Sequence, residues 1–140
     1  MKNMTKEQEC LKKLTVLYVE DEEDTRQQFS RFLSRLTGEL IVAENGAQGL
    51  AAFQKNRPQI VITDVLMPVM DGLTMAREIR RLDESVDFIA LTAFDQADYI
   101  GKFVEIGVDK YLTKPVDGVK LLEMLLECAG KLSRRGYGAR

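Results

Sequence analysis

The chain has 140 residues, 45% hydrophobic and 30% charged, enough to build one core of ordinary size, and its glycine and proline content is too low for low-complexity sequence. With 20 basic residues against 22 acidic ones the formal charge is −2, so no chain-wide positive field exists to hold nucleic acid or an anionic membrane. There is no histidine, and the two cysteines, Cys10 and Cys128, lie far apart without a CxxC spacing, which excludes the common zinc sites and the Ser/His and Cys/His triads.

The opening segment MKNMTKEQECLKKL has lysines but no apolar stretch of signal-peptide type, and Thr5 with Gln8 at capping-box spacing predicts a short helix before the first strand. Apolar runs of strand length then recur at 14–19 (LTVLYV), 40–43 (LIVA), 60–63 (IVIT), 87–91 (DFIAL) and 110–112 (KYL). Between them lie segments of helical period, with Phe29, Phe32, Leu33 and Leu36 on the first and Ala47, Leu50 and Ala51 on the second. Met75, Ile79 and Leu82 mark a third, Ala97, Ile100 and Val104 a fourth, and Val119, Leu122, Leu126 and Ala129 the last. Turn signals separate these segments: Asn45-Gly46, Pro58, Asp71-Gly72 and Gly107.

Short strands without polar alternation need cover on both faces, which predicts an α/β fold with a doubly wound, five-stranded parallel sheet; the flavodoxin-like order 2-1-3-4-5 is the arrangement in which the chemically loaded strands would be contiguous. The expected organisation is an N-terminal extension over 1–13, one domain over 14–129, and a basic tail or linker stub over 130–140. No stretch reaches the length of a membrane span, and the lone thiols suit a reducing compartment, so a cytoplasmic location is expected.

In an open parallel sheet ligands bind at the carboxyl ends of the strands. The first strand ends in Glu20 and Asp21, the third in Asp64, the fourth in Thr92 and the fifth in Lys114, and the order 2-1-3-4-5 gathers these tips into one cleft. Two carboxylates about 4 Å apart repel by roughly 4 kcal/mol at an effective dielectric near 20, and three would share this site with one lysine. A hard divalent cation is the natural complement, and Mg²⁺ suits two or three protein oxygens because it keeps its remaining shell for water and phosphate. The chemistry that uses every position is phosphoryl transfer to a carboxylate: Asp64 attacks phosphorus, Glu20 and Asp21 hold the metal, and Lys114 and Thr92 bind the phosphoryl oxygens.

The strings LYVEDE, IVITDVLMPVMDG, ALTA and GVDKYLTKP, in this order at the ends of successive strands, resemble the receiver domain of two-component response regulators, over roughly residues 14–128. The resemblance implies that Asp64 is the phosphoacceptor, that Glu20, Asp21, Asp64 and the backbone carbonyl of Leu66 hold Mg²⁺, and that Lys114 binds phosphate. It further implies that Thr92 and Tyr111 form a switch and that Lys114-Pro115 is cis. The expected partners are a histidine kinase or histidine phosphotransfer protein that donates the phosphoryl group, and a downstream output domain or protein. No direct nucleic-acid contact and no membrane insertion are expected, and a homodimer is compatible with the sequence. The output face would be built from the fourth of the helices between strands, the fifth strand and the last helix. Such a protein is no enzyme in the usual sense, since it catalyses only its own phosphorylation and dephosphorylation.

Three residues depart from the family pattern. Glu20 stands where aspartate is commoner, and Leu66 and Phe94 are apolar at positions flanking the acceptor, where they are expected to screen an acyl phosphate from water. Glu20 keeps alive a rival of another class, a phosphorylation-independent protein-binding module of the same fold. A phosphatase with an aspartyl intermediate would need a second acid two residues after the nucleophile, where this chain has Leu66. No Walker-type GxxxxGK[ST] is present and GAQG is not a dinucleotide fingerprint. In isolation Asp64 reads as a helix N-cap, the acidic run after Asp21 as a solvated helix start, and Tyr111 as a packed strand aromatic. Gly101, inside the fourth helical segment, predicts a labile element beside the site.

Overall fold

The structure is a computed structural model that describes residues 3–108 and 110–136. Five parallel strands, β1 (Thr15–Val19), β2 (Glu39–Ala43), β3 (Ile60–Asp64), β4 (Asp87–Thr92) and β5 (Lys110–Thr113), form one sheet of order β2-β1-β3-β4-β5, as the apolar runs predict. Six helices cover it: α1 (Lys6–Leu11), α2 (Glu23–Ser34), α3 (Gly46–Asn56), α4 (Gly72–Leu82), α5 (Asp98–Glu105) and α6 (Gly118–Arg134). A 3₁₀ turn at Phe94–Gln96 precedes α5.

β3 and β4 are buried along their whole length, whereas the edge strands β2 and β5 are partly exposed. Alternation along the strands builds two cores. Val16, Tyr18, Ile60, Ile62, Ile89 and Leu91 face α1, α2 and α6, while Leu17, Val19, Val61, Phe88 and Ala90 face α3, α4 and α5. Each side chain in the three central strands is thus removed from water on one face or the other, which is the main force holding the sheet together.

The helix starts follow the capping signals. Thr5 and Gln8 close a reciprocal capping box on α1, Asn45 caps α3, and Asp71 accepts from the Thr74 amide at 2.7 Å to start α4. Glu22 caps α2, and Glu23 and Asp24 fill its first turn. Gly107 takes φ +83° just after α5.

In four helices the expected core stripe is met only in part: Met75, Ile79 and Ala129 are buried as expected, while other positions are not. Ala51, Leu82, Val104 and Val119 were expected on core stripes and are exposed. The residues that do the packing are Phe53 in α3, Leu73, Met75, Ala76 and Ile79 in α4, Phe103 in α5, and Leu121, Leu125, Cys128, Ala129 and Leu132 in α6. Apolar residues at both i+3 and i+4 satisfy the same period, so spacing alone does not choose between adjacent stripes. In α6 the choice is made by α1. Leu122 and Leu126 are half-buried along a crevice that they share with Met4, Leu11 and Leu36, which leaves the neighbouring stripe to the sheet.

The first and last helices, α1 and α6, share one core. Cys10, Leu11 and Leu14 are buried in the same core as Cys128, and both thiols are free. Residues 130–134, expected to begin the tail, continue α6, because Leu132 still has core to cover. The end of the expected tail, 137–140, lies outside the described residues.

Candidate functional site

Local sequence fixes the site before any long-range contact is considered. Glu20 and Asp21 follow β1 directly, and Asp64 is the last residue of β3. Val19 lies opposite Thr63 in the parallel register, so the next position on each strand places Glu20 beside Asp64. Thr92 closes β4, and the Lys114 amide donates to its carbonyl at 2.7 Å, which ties the start of the β5–α6 loop to the β4 tip. The Lys114-Pro115 peptide bond is cis.

These tips converge as expected. One carboxylate oxygen each from Glu20, Asp21 and Asp64 lies within 4.8 Å of the others. The Lys114 ammonium lies 2.6 Å from Asp64 Oδ1 and 3.7 Å from Glu20 Oε1. Glu20, Asp64 and Thr92 are buried, while Asp21 is exposed. The site is therefore a half-enclosed acidic cluster open on one side.

Several backbone contacts hold the acceptor strand tip. The Val65 amide donates to Asp64 Oδ1 at 3.1 Å, and the Gly72 amide donates to the Val65 carbonyl at 2.6 Å. Gly72 cannot be replaced without moving this loop, because a Cβ there would lie 2.0 Å from the Asp64 carbonyl oxygen. The Thr63 hydroxyl donates to that same carbonyl at 2.8 Å. Farther along the loop the Met70 carbonyl accepts from the Gly46 amide at 2.9 Å, and Val69 takes φ +69°.

The charge balance is visible in the acidities. Burial first, and then the adjacent Asp64 carboxylate, push the Glu20 carboxyl up to about 7, with the Glu22 amide and Lys114 opposing. Burial works against the Lys114 ammonium, but its hydrogen bond to Asp64 and the neighbouring acids outweigh it and hold the ammonium above its ordinary value. Glu20 Oε2 accepts from the Glu22 amide at 3.2 Å, whereas the buried Oε1 has no hydrogen-bond partner. A buried carboxylate oxygen with no hydrogen-bond donor, facing two other acids, fits a bound divalent cation.

Leu66 sits two residues past Asp64 in the loop toward α4, and Phe94 two past Thr92; their side chains are 47% and 91% exposed, forming an apolar rim. Tyr111 in β5 is 43% exposed, so its ring is turned outward. A crevice behind it is lined by Ala90, Thr92, Ile100, Phe103 and Val108. The Thr92 hydroxyl makes only a long 3.4 Å contact to the Leu112 carbonyl.

Sequence reasoning missed two residues around the cluster. Arg26, in the first half of α2, donates to the Glu20 carbonyl at 2.9 Å and pairs with Glu44 at 3.3 Å, steadying the β1 tip. Its only sequence signal is its place two residues beyond the acidic run. Tyr18 lies beneath Glu20 with its hydroxyl buried and unpaired.

This fold and site define a signalling receiver. The chain belongs to the response regulator receiver domain family, which matches residues 16–126. It is 35% identical over 125 residues to the transcriptional regulatory protein PrrA of Mycobacterium bovis, covering 89% of this chain and 52% of that protein. It is 39% identical over 108 residues to the transcriptional regulatory protein CseB of Streptomyces avermitilis, covering 76% and 45%. The chain thus spans about half the length of these regulators. Among solved structures, the N-terminal domain of an uncharacterized protein from Wolinella succinogenes superposes with a TM-score of 0.81 at 33% identity, covering 86% of this chain and 98% of that one. A chain of the CheX–CheY–BeF3–Mg²⁺ complex from Borrelia burgdorferi superposes with a TM-score of 0.74 at 25% identity, covering 81% and 87%. Among the described residues no helix is long and apolar enough to cross a membrane.

Proposed function

We propose that this receiver domain accepts a phosphoryl group on Asp64 from a phosphohistidine of a histidine kinase or phosphotransfer protein, in a reaction that depends on Mg²⁺. The observation that carries this reading is the Lys114 ammonium 2.6 Å from Asp64 Oδ1, inside a cluster of three acids whose oxygens lie within 4.8 Å of one another. One lysine leaves that cluster net negative, and a structural ion pair has no use for two further carboxylates.

Glu20, Asp21 and Asp64 would hold the cation, together with the Leu66 carbonyl that the family pattern adds. When bound, the cation supplies positive charge that lowers the repulsion between an incoming phosphoryl group and the acids. In the transfer, an Asp64 carboxylate oxygen attacks phosphorus and a new P–O bond forms. The P–N bond of the donor imidazole breaks, and its electron pair stays on that nitrogen, which takes up a proton. The Lys114 ammonium remains charged throughout and moves its contact from the carboxylate to a phosphoryl oxygen. The Thr92 hydroxyl, held now by one long contact, is free to turn toward the same group. That movement opens room for Tyr111 to swing from its exposed position, and the face made of α5, β5 and α6 shifts between two populated states.

The chain acts on itself and turns over no other substrate, and an output domain or protein that prefers one state reads the change. The Mg²⁺ and BeF3 named for the Borrelia complex support this reading by similarity. The test is incubation with acetyl phosphate and Mg²⁺ followed by intact-mass measurement. One hydroxylamine-sensitive phosphoryl adduct is expected, lost in Asp64→Asn and in the presence of a chelator. No adduct on the wild-type chain would leave only the phosphorylation-independent binding module.

A further inference from the structure

Among the described residues, Glu20 Oε1 and the Tyr18 hydroxyl are both buried without a hydrogen-bond partner, two positions apart at the end of β1. Tyr18 packs in the core that faces α1, α2 and α6, whereas Leu17 and Val19 pack in the other. Glu20, two residues on, therefore continues the face of Tyr18. The Arg26 guanidinium bonds the Glu20 carbonyl at 2.9 Å, so α2 begins at the β1 tip and runs back along the strand.

Tyr18 is 1% exposed. An unpaired buried hydroxyl costs more than the hydrogen atom that phenylalanine would put in its place, and no protein group among the described residues hydrogen-bonds this one. A hydroxyl with no partner in one state, below a carboxylate oxygen with no hydrogen-bond partner in the same state, points to a second state in which they meet.

We propose that Tyr18 is a positioning residue for Glu20. When Glu20 is charged and turned to a divalent cation, the phenol O–H donates to its carboxylate. This holds the side chain that is one methylene longer than the aspartate commoner at this position. The inference rests on the proposed cation site. It concerns how Glu20 is held there, not whether phosphorylation occurs.

The test is a Mg²⁺ titration of the full chain, read by calorimetry and by tyrosine ultraviolet difference spectra, which no tryptophan obscures. The wild type is expected to show a tyrosine difference signal that saturates with Mg²⁺. Tyr18→Phe is expected to lose that signal and to bind Mg²⁺ about tenfold more weakly, the low end of what one hydrogen bond to a charged group is worth. Its unfolding temperature in chelator should equal or exceed that of the wild type, which separates a positioning role from damage to the core. With Glu20→Asp in the background, Tyr18→Phe should change Mg²⁺ affinity little, because the shorter acid no longer reaches the phenol. Equal Mg²⁺ affinity in the wild type and Tyr18→Phe, or the same tenfold loss in the Glu20→Asp background, overturns this inference alone. Absence of Mg²⁺ binding to the wild type overturns it together with the cation site.

Discussion

Among the described residues a lysine meets a buried carboxylate at each end of the sheet, and the two places are built to different ends. At the amino end of β4, Lys131 of α6 contacts Asp87 at 2.5 Å, and Lys110 and Lys131 both act on the neighbouring Cys128 thiol. Positive charge there matches or exceeds negative charge, and burial, followed by Asp87, pushes the Cys128 thiol up to about 12, which keeps it inert. At the carboxyl ends of the strands, Lys114 contacts Asp64 at a similar 2.6 Å, but Glu20 and Asp21 stand in the same cluster. The first pair pins a helix to the sheet. The second leaves uncompensated negative charge in a half-buried site, which folding alone does not call for. Excess like charge, not the presence of an ion pair, marks the functional end.

The largest expected effect follows from that excess. With the Glu20 carboxyl at about 7 in the folded protein against an ordinary 4.5, the folded state holds a proton that the unfolded chain has released. Stability is therefore highest below pH 4.5 for this group and falls as pH rises toward 7, by up to about 3 kcal/mol. Denaturant unfolding of the metal-free protein between pH 5 and 7.5 should show this loss. Glu20→Gln should flatten it, and Mg²⁺ should oppose it by binding the charged form. An equal slope in Glu20→Gln would remove the electrostatic distinction between the two ends.

The opposite end gives a smaller effect with a different signature. Lys131→Met leaves Asp87 without the ammonium while keeping much of the side-chain volume. Because Lys131 is partly exposed, the loss is expected at about 1–2 kcal/mol, below that of a fully buried pair. It should be the same with and without Mg²⁺, whereas the stability change of Lys114→Met should depend on the cation. A Mg²⁺-dependent loss in Lys131→Met would mean that the two ends are coupled.

Much of this contrast was legible in the sequence, for a physical reason. Strand runs bounded by turn residues fix where β1, β3 and β4 end, and in a parallel sheet all ends of one kind face one way, so Glu20, Asp21, Asp64, Thr92 and Lys114 were placeable together. The Asp87–Lys131 pair was not, because it joins the start of a strand to the second half of a distant helix, and nothing in either segment sets that pairing. The helix stripes were legible only to within one position: choosing Phe103 over Val104, or Leu125 over Leu126, needs the neighbouring element, and for α6 that element is α1. The outward ring of Tyr111 was likewise open, since β5 is an edge strand and spacing alone does not say whether an aromatic there turns toward α5 or toward solvent.

The two helices that flank β5 carry the same lesson into the switch. α6 runs 17 residues, buries six of them and is pinned by Lys131, whereas α5 runs eight, buries only Phe103 and starts at Ala97 without a side-chain cap. Gly101 loosens α5 further, since glycine in a helix costs about 0.5–1 kcal/mol relative to alanine. A methyl group at that position would meet nothing within 4 Å. Gly101→Ala should therefore stabilise the fold by about that amount in denaturant unfolding, without repacking any neighbour. If lability of α5 is what lets the α5–β5–α6 face move, the same substitution should shrink the amide-exchange difference between unphosphorylated and acetyl-phosphate-treated protein along α5. A stabilised variant with an undiminished exchange difference would place the moving part in α6 or β5 and make Gly101 a stability residue only.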